Sequence, residues 1–132
     1  GYLPIINNEM LVQVFRENAT PLVGEAGCVT QLNGQSRGGS TDMGDLSHIM
    51  PAIHPYTGGF SGSGHGVDYL VSDYEQAVIN PAKALATSVI DLLSAGAVRA
   101  REVVARSPAR MSKKEYVRLQ EGRLTEDLYT PR

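Results

Sequence analysis

Three histidines and two aspartates fall within one glycine-rich stretch of this 132-residue chain, between residues 34 and 66. Nine of the 14 glycines lie in the same stretch. Imidazole and carboxylate groups both bind a hard to borderline cation, and glycine permits close approach of loop backbones. These residue types therefore favour a metal or proton-transfer site on loops, with ordinary turns and structural histidines as the alternative. The five side chains are Asp42, Asp45, His48, His54 and His65.

Well-known catalytic motifs do not account for this stretch. Ser61 has a glycine two positions before it but a serine two positions after it, so it does not fit a nucleophile elbow. No phosphate-binding loop ending in Gly-Lys-Ser/Thr is present, and no His-Glu-x-x-His zinc motif occurs. The sequence by itself therefore points to loop histidines and carboxylates, and to no complete site.

Composition narrows the function classes. The net charge is −2, from 12 Lys+Arg against 14 Asp+Glu, which excludes a strongly basic nucleic-acid binder. No apolar run approaches the roughly 18 residues of a membrane span, and the start Gly-Tyr-Leu-Pro has neither the basic nor the apolar region of a signal peptide. Cys28 is the only cysteine, so an internal disulfide is impossible. We therefore expect a cytoplasmic protein without a membrane or nucleic-acid partner.

The charge is distributed unevenly along the chain. Residues 1–96 contain three basic and nine acidic side chains, whereas residues 97–132 contain nine basic and five acidic ones. In the second zone the two signs are interspersed, which is typical of a solvated helical surface. We therefore divide the chain into a site-bearing part, residues 1–96, and a basic helical extension, residues 97–132.

Local signals predict several helices. Asn7 or Asn8 caps a first helix that Thr20-Pro21 ends or bends. Ser40 or Thr41 caps a short helix from Met43 to His48. The later helices are predicted over residues 73–95 with a distinct turn before Pro81 and a stop at Gly96, over residues 97–105 before Ser107-Pro108, and from a capping box at Ser112 through Gln120.

Two short apolar segments, residues 28–32 and 49–54, predict strands. Strands followed by helices with short connections indicate an α/β layered protein. So small a sheet leaves apolar helix faces uncovered, so we expect further strands from a partner chain or from residues outside this sequence.

Several residue runs together resemble a known family. They are Gly-Tyr-Leu-Pro at 1–4, Gly-Ser-Thr-Asp-Met-Gly-Asp-Leu-Ser at 39–47, Met-Pro-Ala-Ile-His-Pro-Tyr at 50–56, the isolated His65, and Asn-Pro-Ala-Lys-Ala-Leu-Ala at 80–86. This set resembles the C-terminal part of the catalytic domain of metal-dependent amidohydrolases related to aminoacylase. Within them it is most similar to the subgroup of aminobenzoyl-glutamate hydrolase and β-alanyl-lysine dipeptidase. The resemblance covers roughly residues 1–95 and is densest from 38 to 86.

The resemblance implies the C-terminal segment of a three-layer, helix-sheet-helix, zinc-peptidase-like catalytic domain with two zinc or manganese ions and a bridging water. It implies that most metal ligands and the general base lie in an N-terminal half outside this sequence, so no catalytic residue is assigned here. His65 maps onto the one expected metal ligand. Ser40, Thr41 and Asp42 map onto a loop beside the metal centre, in a supporting role. The loop around His65 contains three glycines, which we expect to loosen it.

Two functions follow as expectations. The first is part of an amidohydrolase that cleaves the amide bond of an N-acyl amino acid, aminobenzoyl-glutamate or a dipeptide, is inactive as this segment alone, and forms a homo-oligomer. The alternative is a non-catalytic interaction module, in which the helices at 73–105 and 112–121 present an apolar face to a protein partner.

Overall fold

The structure, a computed structural model, describes residues 1–29 and 41–126 and is mostly helical (58%). Its elements are α1 (Glu9–Val23), a 3-10 turn (Glu25–Gly27), α2 (Met43–Ile49), β1 (Phe60–Ser61), β2 (Leu70–Val71), a π-helical turn (Glu75–Ile79), α3 (Asn80–Arg106) and α4 (Lys113–Glu121). Within these residues the one sheet is the antiparallel pair of β1 and β2, in which Phe60 lies opposite Val71 and Ser61 opposite Leu70.

The predicted three-layer α/β fold is therefore wrong for the described residues. Residues 49–54 were expected to form a strand, and Met50 is indeed extended, with φ −157° and ψ 158°. A strand also needs a ladder of hydrogen bonds to a neighbour. Here one backbone bond, from the Asn8 amide to the Ala52 carbonyl at 2.8 Å, joins the segment to another part of the chain. The expected strand at 28–32 lies mostly outside the described residues, and residues 28 and 29 are not in a strand.

The first helix begins as predicted and ends later than predicted. The Asn8 side-chain oxygen accepts a hydrogen bond from the Leu11 amide at 3.0 Å, which confirms the cap. The helix continues through Pro21 to Val23 and ends at Gly24, whose φ is 74°. A proline in the last turn removes only one hydrogen bond of the helix, so α1 tolerates it there.

The long apolar helix is interrupted where the sequence predicts. A π-helical turn precedes α3, and Pro81 lies in the first turn of α3. Ser94 leaves the helical conformation, and Ala95, Gly96 and Ala97 have positive φ angles. The predictions of a distinct turn before Pro81 and of a stop at Gly96 are confirmed, and α3 consists of two helical segments.

The last helix confirms the predicted capping box. The Ser112 hydroxyl accepts from the Glu115 amide at 3.3 Å, and the Glu115 carboxylate accepts from the Ser112 amide at 2.6 Å. The Ser112 amide, and after it the Ser112 hydroxyl, lower the pKa of Glu115 below its ordinary value of 4.5. Because the folded pKa is lowered, this stabilisation of α4 is complete above about pH 4.5 and is lost as the pH falls through the lowered value.

The core is formed chiefly where α1 packs against α3, and it is small. Among the described residues the buried apolar side chains are Val14, Ala19, Ala52, Ala84 and Val103. Three of the five are alanine, so the two helices approach closely and bury little apolar area. Two polar residues of α3, Asn80 and Ser88, are buried with them.

Larger apolar residues of this helix face away from α1. At 100° per residue, those in α3 lie on the side of the helix opposite Asn80, Ala84 and Ser88, and the two that come before Asn80 belong to the π-helical turn. Their exposures range from 46 to 62%. This surface, called the outer stripe below, fulfils the expectation of an uncovered helix face within the described chain. It consists of Val78, Ile79, Leu85, Val89, Ile90 and Leu93.

The helical stretch Glu75–Arg106 is long and apolar enough to cross a membrane by length and composition alone. An 18-residue stretch within it has a mean hydropathy of 1.2, and 11% of that stretch is buried. One such helix is weak evidence, because a helix of a soluble protein passes the same test. The break at Ser94–Ala97 also divides this helix into two segments. The absence of a membrane partner stays a prediction.

The N-terminal segment lies against α2. The Leu3 amide donates to Asp45 Oδ1 at 2.8 Å, and the Ile6 amide donates to the Ser47 hydroxyl at 3.0 Å. A side chain at Gly44 would collide with the Leu3 carbonyl, so only glycine permits this approach.

We predict that Gly44→Ala destabilises the protein by about 1–3 kcal/mol, because the Leu3 backbone has to move and its bond to Asp45 is lost. Gly64→Ala is the matched control, since nothing lies within 4 Å of the added methyl group. Urea denaturation of both variants measures the difference. Equal stability of Gly44→Ala and Gly64→Ala would disprove the close approach.

Candidate functional site

The loop expected beside a metal centre leads into α2. Ser40 lies outside the described residues. The Thr41 hydroxyl accepts from the Met43 amide at 3.3 Å, and the Thr41 carbonyl accepts from the Gly44 amide at 3.0 Å. Asp42 occupies the N-cap position, yet its side chain makes no capping bond. Thr41 therefore supports the start of the helix, while the Asp42 carboxylate is left exposed.

His65 lies in the loop that joins β1 to β2. The residue is exposed and has a φ of 66°, in the left-handed region that favours glycine. No hydrogen bond from another described residue reaches its ring. The imidazole is therefore free to bind a group outside this part of the chain, and its backbone conformation is strained.

Close contacts within the loop hold His65 in place. The Gly66 amide donates to the Ser63 carbonyl at 2.7 Å, and the Ser63 amide donates to Asp68 Oδ2 at 3.3 Å. A side chain at Gly62 would collide with the Asp68 backbone, and one at Gly66 would collide with the Asp68 carboxylate. Two of the three glycines expected to loosen the loop therefore permit the contacts that brace it.

An aromatic pair closes the base of the same loop. The rings of Phe60 and Tyr69 are nearly parallel, at 8°, with centroids 5.3 Å apart. Both residues are partly exposed, at 38 and 47%. Stacking across this very short hairpin adds stability that two residue pairs of backbone ladder do not supply.

The rings of the other two histidines each contact another residue of the protein. His48 Nε2 lies 3.0 Å from the Pro4 carbonyl, so this nitrogen carries the proton and donates it. The His54 ring packs against Tyr56 with centroids 5.1 Å apart, and its Nδ1 is buried without a hydrogen-bond partner within the described chain. The structure gives both residues packing roles, although residues 49–54 form no strand.

The described residues do not assemble a metal centre by themselves. Within residues 1–29 and 41–126, no three His, Cys, Asp or Glu side chains converge on a metal position. No hydrogen bond or ion pair found there joins His65 to Thr41 or Asp42. The arrangement provides one free imidazole and one exposed carboxylate on separate loops, and a metal held by His65 needs further ligands.

Asp45 turns out to be a structural residue, which the sequence did not indicate. It is buried, and its Oδ2 accepts from the Tyr116 hydroxyl at 2.9 Å and from Gln120 Nε2 at 3.4 Å. The bond to Asp45 raises the pKa of the Tyr116 phenol above its ordinary value of 10.0. The sequence shows only that Tyr116 and Gln120, four residues apart, share a face of α4.

Comparisons of the chain with protein-family models, with curated proteins and with solved structures found no match. The resemblance to amidohydrolases therefore rests on the residue runs themselves.

The strain at His65 makes a test of the loop geometry possible. We predict that His65→Gly raises the free energy of unfolding by about 0.5–1 kcal/mol, because glycine adopts the left-handed conformation without steric cost. His65→Val should lower it, because a β-branched residue is strained there. Thermal denaturation of both variants measures the effect, and a less stable His65→Gly would contradict the observed backbone.

Proposed function

We propose that this chain is part of a metal-dependent amidohydrolase, to which it contributes His65 as a metal ligand. The observation that carries the proposal is the exposed imidazole of His65, held on a braced loop without a protein partner among the described residues. It lies within the ordered set of residue runs that resemble the family. The proposed substrates are N-acyl amino acids, aminobenzoyl-glutamate or dipeptides.

The residues present fit one ligand position. A neutral imidazole nitrogen is a common ligand of zinc and manganese, and the His65 ring is not occupied by another contact within the described chain. Two such ions, when bound, polarise an amide carbonyl and make water a better nucleophile near neutral pH. His65 would hold one ion and fix its position, while the remaining ligands and the general base come from polypeptide outside these 132 residues.

Asp42 and Thr41 are proposed to support that centre. The Asp42 carboxylate is exposed at the start of α2, where the helix dipole favours a negative charge. Its Oδ1 accepts from the Thr41 hydroxyl at 3.4 Å, which leaves Oδ2 available to orient a ligand or a substrate amine. The Thr41 hydroxyl also accepts from the Met43 amide of α2. Neither residue is assigned the proton transfers of the reaction.

The exposed outer stripe favours the proposal that further protein packs against this chain. Six large apolar residues remain about half exposed, whereas the α1–α3 contact buries mainly alanines. We propose that other parts of the same homo-oligomeric enzyme cover this surface. The same observation favours the second candidate, an interaction module whose apolar stripe binds a partner and whose loops carry no chemistry.

Metal analysis separates the two candidates. In the enzyme assembled with the polypeptide that supplies the other ligands, we expect about one to two zinc or manganese ions per catalytic site. His65→Gly should remove at least one ion and most of the amidase activity while the loop conformation is kept. His54→Gln is the control and should retain the metal. Full metal content and rate in His65→Gly would exclude His65 as a ligand.

For the 132-residue chain alone we predict no amidase activity above background and self-association through the outer stripe. Leu85→Lys with Val89→Lys should reduce the association measured by sedimentation, because charge on an apolar contact is costly to bury. Thr87→Lys is the matched control, since Thr87 is exposed on the same helix outside the stripe. A monodisperse wild-type monomer would show that the stripe needs no cover.

A further inference from the structure

Asp45 is the point where three parts of the chain meet. Its Oδ1 accepts from the Leu3 amide, 42 residues away, and its Oδ2 accepts from Tyr116 and Gln120, 71 and 75 residues away. None of these donors is charged. A buried carboxylate needs such donors to offset its loss of hydration, so each bond to it is worth more than a bond between neutral groups.

Helix α4 has few other attachments among the described residues. It has no buried residue. Just before it, the Arg110 and Met111 amides both donate to the His48 carbonyl, at 2.9 and 3.1 Å. Asp45 and His48 are three residues apart on α2, so these bonds and those to Asp45 reach neighbouring positions on one short helix.

Helix α2 is also hydrogen-bonded to the N-terminal segment that precedes α1. The Leu3 and Ile6 amides and the Pro4 carbonyl bond to α2, at Asp45, Ser47 and His48 respectively. A helix of seven residues is too short to be stable alone. Its position, and that of Thr41 and Asp42 at its start, therefore depends on the N-terminal segment and on α4.

We infer that Asp45 is a positioning residue through which α4 fixes the start of α2 and the loop containing Thr41 and Asp42. Asp42 lies three residues before Asp45, one helical turn away. The basic extension thereby acquires a role: its Tyr116 holds Asp45, and Asp45 holds the loop. The importance of this loop for catalysis rests on the proposed function, whereas the coupling itself does not.

Hydrogen exchange followed by mass spectrometry tests the coupling on the 132-residue chain. Tyr116→Phe removes only the hydroxyl that donates to Asp45. We expect amide exchange to accelerate about 10-fold in residues 113–121 and also in 43–46, with α1 and the first segment of α3 unchanged. Tyr74→Phe is the matched control, because Tyr74 is 71% exposed, and should change neither region.

A double-mutant cycle asks whether Tyr116 acts through Asp45. Once Asp45→Asn is present, Tyr116→Phe should add little further acceleration. Asp45→Asn should also shift the pKa of the Tyr116 phenol back toward its ordinary value, followed as the difference in ultraviolet absorbance between chains with and without Tyr116→Phe, because the chain has six tyrosines.

Acceleration confined to residues 113–121, or none at all, would overturn the inference. So would additive effects of the two substitutions. These measurements need neither metal nor substrate, so loss of the His65 assignment would leave them unaffected, and their failure would leave the His65 assignment standing.

Discussion

Close packing of α1 against α3 is the contact on which the rest of this structure depends. The facing residues are small, with Ala19 on one helix and Ala84 and Ser88 on the other. Small side chains let two helices approach, but they remove little apolar surface from water. The ends of the contact are held by polar groups: Arg99 binds Glu17 at 2.7 Å, and this bond lowers the pKa of Glu17. The pair is exposed and adds little. The larger apolar residues of α3 remain about half exposed.

The elements that the sequence predicted well are those determined by their own neighbours. Asn8 and Ser112 cap helices through bonds to amides three residues away, and Gly96 lies within the break in α3, where Ala95 and Ala97 also have positive φ angles. The strand prediction was wrong because a strand depends on a partner elsewhere in the chain. Residues 49–54 have an extended, apolar pattern, but a strand exists only with a partner. Within the described chain, one backbone bond, from Asn8 to Ala52, joins this segment to a part of the chain other than α2.

In the candidate site, too, local features were predictable from the sequence and long-range contacts were not. The glycine-rich composition located the loop of His65, and the structure explains Gly62 and Gly66 by contacts with Asp68. Sequence reasoning grouped Asp45 with the chemistry-bearing residues because it lies with Asp42 and the histidines in the glycine-rich stretch. Its burial depends on Tyr116, 71 residues later, and no local pattern encodes a contact at that distance.

The backbone at His65 bears on whether this histidine is a packing residue or a ligand. His48 and His54 each have a contact that offsets the cost of ordering an imidazole, a carbonyl in one case and an aromatic ring in the other. His65 has a left-handed φ, which costs about 1–2 kcal/mol for a residue with a side chain, and no such contact was found within the described residues. Glycine would fold there at lower cost. The contacts that brace the loop hold the backbone in this conformation, and a metal ion held jointly with other polypeptide, as proposed above, would give the ring itself an interaction.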